Sequence, residues 1–137
     1  MYVGCALTDA SEEFRASVEY FKKALRREGY EVFDFVGLVG DSSEEVYRWD
    51  IGHCVKDCEA FIAICDHPSL GLGYELAEAA RLKKPILAVA QTDSRVTRLV
   101  LGAAEVVPHL RFERYKDINK DAVPLVNDWL KAISTSS

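Results

Sequence analysis

Apolar runs too short for helices alternate with apolar stripes at helical spacing along the whole chain. No other feature narrows the folds open to it as much. Residues 2–7 (YVGCAL) form an apolar run without helical period and read as the first strand. Asp9 and Ser11 then offer capping side chains, with Glu12 three residues after Asp9. Phe14, Val18, Phe21 and Leu25 follow at i, i+4, i+7 and i+11, the stripe of one helix, and Gly29 stands where a C-terminal cap belongs. Residues 30–36 are rich in β-formers, a second strand, and 37–43, with Gly37, Gly40 and an Asp-Ser-Ser cluster, are a loop. From Glu44 the helical period returns, with Tyr47, Ile51, Cys54 and Cys58 on one face. Residues 60–65 make a third strand, 66–73 a Pro/Gly-rich loop, 74–82 a helix and 86–90 a fourth strand. A short helix over 94–101, a strand near 110–112 and a closing helix around 121–133 complete the series. Pro124 fits only the first turn of that last helix.

About five strand–helix alternations predict a single doubly wound, flavodoxin- or Rossmann-like α/β domain, with about five parallel strands and helices on both faces. Apolar strands without polar alternation agree, because parallel strands are buried on both sides. The 137 residues suit one domain over 1–133, leaving 134–137 as a frayed tail. Seventeen Lys and Arg against 22 Asp and Glu give a net charge of −5, which lacks the basic excess that a nucleic-acid backbone requires. A small phosphorylated ligand needs no such excess. No window approaches the ~18 uninterrupted apolar residues of a membrane span. The start, Met1-Tyr2-Val3-Gly4-Cys5, has neither a basic leader nor a signal-type apolar stretch. A cytoplasmic protein that engages neither nucleic acid nor membrane is expected.

Cys5, Cys54, Cys58 and Cys65 are even in number, but a chain with this much core needs no disulfide framework. Cys54 and Cys58, four apart and near His53, Cys65 and His67, make a zinc site conceivable. The missing Cys-x2-Cys turn, and the place of Cys65 at the end of an apolar run, favour buried thiols. Neither metal nor cofactor is expected.

In a doubly wound sheet, ligands bind outside the carboxyl ends of the strands. The loop after the third strand reads Asp66-His67-Pro68-Ser69-Leu70-Gly71-Leu72-Gly73-Tyr74-Glu75. Gly71 and Gly73 let backbone approach a ligand, Ser69 adds a hydroxyl, and the next helix aims its first amides at the crevice. The third glycine of a dinucleotide fingerprint is missing, and no Gly-Lys-Ser/Thr occurs, which excludes a Walker-type nucleotide triphosphatase. Glu75 falls in the first turn of that helix, and Asp50 lies on the preceding helix beside Trp49 and Ile51. Two carboxylates at one crevice suit acid–base work. By spacing alone, Glu75 reads more readily as a helix-dipole carboxylate, and Asp50 as an exposed residue pairing with Arg48 or a lysine. His53 and His67 read as incidental surface or loop residues.

Trp49-Asp50 and its helix, the run 60–65, Pro68-Ser69-Leu70-Gly71-Leu72-Gly73-Tyr74-Glu75-Leu76 and Lys84-Pro85-Ile86-Leu87 together resemble the nucleoside 2-deoxyribosyltransferase superfamily. Pro-Ser-Leu-Gly-x-Gly-Tyr-Glu-Leu is most similar to its 2'-deoxynucleoside 5'-phosphate N-hydrolase branch. Tyr2 and the segment 95–103 extend the match over most of the chain.

The resemblance implies an N-glycosidase acting on 2'-deoxynucleoside 5'-monophosphates. Glu75 would attack the anomeric carbon, Asp50 would act first as acid and then as base, and Tyr2 would hold Glu75. Ser69, Gly71 and Gly73 would cradle the phosphate, while Cys5, Leu7, Phe35, Val46 and Leu99 would line the substrate pocket. The branch offers an arginine to the phosphate where Thr8 stands here, and a serine from a neighbouring subunit where Thr97 stands. A homodimer with a shared site is thereby implied, with Arg95 or Arg98 as a substitute cation. Deoxyribosyl transfer, hydrolysis of ribonucleotides and nucleotide binding without turnover remain as alternatives.

Overall fold

Four strands carry the apolar runs: β1 (Tyr2–Cys5), β2 (Phe61–Ile64), β3 (Ile86–Gln91) and β4 (Leu110–Tyr115). The computed structural model describes residues 1–135, and the four strands form one parallel sheet in the order β1-β2-β3-β4. Tyr2 pairs with Phe61, Phe61 with Ile86, and Ile86 with Leu110, so the register is continuous across the sheet. Alternate side chains feed two cores. Val3, Cys5, Ile62, Ile64, Leu87 and Val89 pack beneath helices α1 (Glu12–Arg27) and α5 (Ile118–Thr135). Tyr2, Phe61, Ala63, Ile86, Ala88 and Ala90 face the opposite layer.

That second layer holds a short helix α2 (Ser43–Val46), which runs directly into a π-helix (Tyr47–Val55), followed by α3 (Leu70–Arg81) and α4 (Arg98–Val106). The predicted doubly wound α/β architecture is therefore present, with four strands in place of five. No helix among the described residues is long and apolar enough to cross a membrane.

The missing strand is residues 30–36. They touch the sheet through one bridge, Tyr2 to Phe33, with the Phe33 N–H donating to Met1 O at 2.9 Å. Beyond Phe33 the polar groups turn elsewhere. The Asp34 carboxylate meets Lys22 and Arg26 of α1, and the Val36 amide meets Asp50. With this rudiment counted, the order is 30–36, β1, β2, β3, β4, which puts the topological switch between β1 and β2.

Several boundaries differ from the sequence expectations for local reasons. Ser11, not Asp9, caps α1, accepting from the Phe14 N–H at 3.0 Å, and Gly29 closes that helix at φ +99. The loop after β2 ends at Ser69, whose hydroxyl caps α3 through the Leu72 N–H at 3.1 Å, so Gly71 and Gly73 are helical. The short helix expected over 94–101 is α4, which starts only after Thr97. β4 extends past 112 to Tyr115.

Helix α5 begins earlier than expected because Asp117 caps Asn119 and Asp121 accepts from the Lys116 and Asp117 amides. Pro124 consequently sits in the second turn. The helix runs through Thr135, so Ser134 and Thr135 of the expected tail are helical, while residues 136–137 lie outside the described residues.

Candidate active site

At the switch point, the π-helix and α3 pack against one another over one face of the sheet. Tyr2 is buried on the face of β1 that meets both helices, its ring 5.6 Å from that of Phe61. Its hydroxyl donates a hydrogen bond to Glu75 Oε2. Glu75 belongs to the second turn of α3 rather than the first, because that helix starts at Leu70. One turn deeper, it lies over the sheet instead of at the helix mouth, where a dipole carboxylate would sit.

Gly4 makes this placement possible. A methyl group there would come within 3.1 Å of Glu75 Oε1, Leu72 Cδ1 and Phe61 Cζ. A bare position in β1 thus leaves room for the carboxylate, as glycine does in a strand that another group approaches closely. Sequence reasoning missed Gly4, although an isolated glycine inside an apolar strand run is the signal for such an approach.

Asp50 lies in the middle of the π-helix and is 7% exposed. The sequence expectation of an exposed residue paired with Arg48 fails, since Arg48 pairs with Glu44 at 2.8 Å. Asp50 Oδ1 instead accepts from the Val36 N–H at 2.7 Å, and a methyl group on Gly37 would stand 3.5 Å from its Oδ2. The helix-period face holds at buried Cys54 and Cys58 and partly buried Ile51, but Tyr47 is exposed, and Asp50 and Val55 are buried beside it. The i→i+5 bonding of a π-helix widens each turn and rotates Asp50 inward. Such single π segments recur at functional sites.

The electrostatics follow from burial. Burial pushes Glu75 up to about 7; the Tyr2 hydroxyl opposes that rise and the charge of Asp50 adds to it. Burial likewise raises Asp50 above the usual carboxylate range, with the Val36 amide pulling the other way. Burial, then Glu75, raise the Tyr2 phenol so far that it serves only as a donor. Cys5 and Cys54, both pushed up to about 12 chiefly by burial, stay neutral thiols beside this pair.

The other expected site residues are distributed around this centre. Cys5 feels the charge of Glu75, and Leu7 meets the Gly37 position 2.9 Å away. The Phe35 ring lies under Lys22 Nζ at 4.5 Å, and Val46 packs toward Gly40. Thr8 is exposed in the turn after β1, and Ser69 is half-buried at the start of α3. The Gly73 N–H is committed to Ser69 O at 3.1 Å, which leaves Leu70 and Gly71 as the first-turn amides without an intrahelical acceptor. Arg15, which sequence reasoning missed, brings its Nη1 to Leu7 O at 3.2 Å, on the loop that carries Thr8.

Thr97 and Leu99 are not brought to the centre. Thr97 caps α4 through the Leu99 amide, Leu99 is 83% exposed, and α4 packs on β4 at the far edge of the sheet. Arg95 and Arg98 are exposed there too. His53 stacks between the rings of Phe33 and Trp49, and His67 meets Phe14 edge-on. All four cysteines are free and buried.

No family model matches the chain. A protein of Methanosarcina mazei named "putative 2'-deoxynucleoside 5'-phosphate N-hydrolase 1" is 30% identical over 67% of this chain and 55% of its own length. One of the same name from Methanococcoides burtonii is 31% identical over 61% of this chain and 75% of its own length. The chain thus spans between about half and three-quarters of these two relatives. Among solved structures, the CMP N-glycosidase of Clostridium botulinum superposes with a TM-score of 0.67 at 20% identity, over 92% of this chain and 99% of that one. That likeness shows a shared fold.

Proposed function

Since the chain belongs to the 2'-deoxynucleoside 5'-phosphate N-hydrolase family, we propose that it is a nucleotide N-glycosidase that cleaves the base from 2'-deoxynucleoside 5'-monophosphates. The observation that carries this reading is a half-buried Glu75, held by the Tyr2 hydroxyl and facing a second buried carboxylate, Asp50. Glu75 in its ionised form attacks C1' of the sugar. The C1'–N bond breaks, its electron pair leaves with the base, and Asp50 delivers a proton to that base. The product is a glycosyl ester on Glu75, as in retaining glycosidases. Asp50, now a carboxylate, takes a proton from water as the water oxygen attacks C1', which returns Glu75 as a carboxylate and releases the sugar phosphate. A negative carboxylate suits this centre because the transition state resembles an oxocarbenium ion.

The phosphate would meet the Ser69 hydroxyl, the Leu70 and Gly71 amides at the start of α3, and Arg15 at the β1–α1 loop, in place of the arginine that Thr8 lacks. Leu99 and Val106, both at least 80% exposed and seven residues apart on α4, support a homodimer through that helix, with Thr97 reaching the partner's site. Mixing inactive Glu75→Ala with inactive Thr97→Arg restores activity under that arrangement. A fully active monomer in sedimentation rules it out.

The central test is base release from a panel of nucleotides and nucleosides, with and without a free acceptor base. With a slow fluorinated deoxynucleotide, the peptide containing Glu75 should gain the mass of one sugar phosphate, and Glu75→Ala should gain nothing. Normal turnover by Glu75→Ala would remove Glu75 as the nucleophile. Sugar transfer to the acceptor at the expense of hydrolysis would make the protein a transferase.

A further inference from the structure

We propose that Asp34 is a positioning residue for Asp50, clamping the backbone that presents the Val36 amide to the Asp50 carboxylate. The consequence for turnover rests on the proposed role of Asp50, whereas the clamp itself rests on geometry alone. After the single bridge at Phe33, no strand pairing holds residues 34–36 against the sheet. Yet the Val36 N–H must stay in place, because it donates to Asp50 Oδ1 at 2.7 Å.

Asp34 supplies the missing restraint from both of its ends. Its Oδ1 accepts from Lys22 Nζ at 2.7 Å and Arg26 Nη2 at 2.9 Å, both on α1. Its carbonyl accepts from Trp49 Nε1 at 2.7 Å and Cys54 Sγ at 3.5 Å, both on the π-helix. Trp49 immediately precedes Asp50, and Cys54 lies four residues beyond it. One residue therefore joins α1, the rudimentary strand and the helix that carries Asp50. Lys22 is 1% exposed, and among the described residues its ion pairs are with Asp34 and Glu19, at 2.7 and 3.1 Å. A buried ammonium left with one partner fewer will draw other groups toward itself, and residues 34–36, with Phe35 beneath Lys22 Nζ, are the nearest backbone to move. The Asp34 side chain itself is 64% exposed, so an isosteric change there removes charge without opening the core.

The groups facing Asp50 are the Val36 amide from the rudiment, Tyr2 from β1, Glu75 from α3, and Cys54 from its own helix. Of these, only the Val36 amide depends on Asp34 for its place and acts on Asp50 as a donor to its charged form. Loosening it raises the Asp50 pKa.

The test is the carbon-13 titration of the Asp50 carboxyl in the whole protein, compared between wild type and Asp34→Asn. The expected result is a rise of about one pH unit in the Asp50 midpoint. With deoxynucleotide substrate, kcat should fall about tenfold while KM holds, as befits a misplaced acid–base group. Asp34→Glu should restore much of both. Trp49→Phe, which keeps the ring against His53 but removes the donor to Asp34 O, should move Asp50 in the same direction with Lys22 still paired. Superimposable Asp50 titrations in wild type and both variants overturn the proposal. A displaced titration in a protein that releases no base from any nucleotide upholds the clamp and refutes the proposed function.

Discussion

Replacing Tyr2 by Phe isolates one hydrogen bond at the candidate site. The ring keeps its packing against Phe61, and only the donor to Glu75 is lost. A hydrogen bond to a charged group contributes ~1.5–3 kcal/mol, and one pKa unit corresponds to about 1.36 kcal/mol. Because that donor favours the ionised carboxylate, its loss moves Glu75 upward from about 7, by about one to two pH units. In its proposed role Glu75 must be ionised to attack, so kcat/KM in wild type should fall as pH drops through about 7. In Tyr2→Phe the same limb should lie roughly one to two pH units higher, near pH 8–9.

At pH 7 the ionised fraction then drops from about one half to roughly 1–10%, a loss of roughly 5- to 50-fold in kcat/KM. Near pH 9.5 the variant should approach the rate of wild type at the same pH, because loss of the proton that Asp50 is proposed to deliver limits both alike. The assay is a pH series of initial base-release rates at substrate well below KM, where kcat/KM reports the free enzyme. A loss equal at every pH, with the acid limb unmoved, would refute the claim that Tyr2 sets the ionisation of Glu75.

Glu75→Gln should trade activity for stability. The folded protein holds Glu75 at about 7 against an ordinary 4.5, so its contribution is fully present below about 4.5 and lost as pH rises through about 7. Urea melts should therefore show the variant more stable by roughly 2–3 kcal/mol at pH 8.5 and equal to wild type at pH 4.5. Gly4→Ala inserts a methyl group against Glu75, Leu72 and Phe61, each 3.1 Å away; a destabilisation of about 1–3 kcal/mol with a large fall in kcat is expected, measured by melts and turnover together. Arg15→Gln should raise KM for a deoxynucleoside monophosphate and leave the unphosphorylated nucleoside unaffected, because its guanidinium reaches the loop carrying Thr8. Ser69→Ala should do the same, with about 1 kcal/mol of stability lost from the α3 cap, which differential melts would register.

The sheet was legible where side-chain burial and hydrogen bonding agree. β1, β2 and β3 are short apolar runs because helices cover both faces, and a run of that kind has few other uses. Residues 30–36 show where the two signals part. Val32 is buried and Phe33 and Phe35 are partly buried against the cores, so the composition is that of a strand. Their backbone, after one bridge, bonds to α1 and the π-helix instead. Composition reports where side chains go and carries no information on which amide meets which carbonyl. The π-helix escaped for a related reason: a pattern fitted at the α-helical period put Tyr47 inside and left Asp50 outside, whereas Tyr47 is exposed and the wider winding turns Asp50 inward.

At the site, resemblance pointed to Tyr2, Asp50 and Glu75, while spacing alone favoured bland roles for both carboxylates. What no spacing contains is the partner of each. Burial raises both carboxylates, and the charge of Asp50 adds to the rise of Glu75. The donors that each meets oppose that rise. Glu75 has a phenol whose own proton is locked on by burial, a donor that rewards the ionised form, and Gly4 leaves the space in which that carboxylate can sit. Asp50 has a single backbone amide, from a segment that reaches it across 14 residues of sequence. A backbone amide has no letter of its own. How readily Asp50 gives up its proton is therefore set partly by a group that any residue but proline at position 36 would supply, and its placement is readable only from the fold.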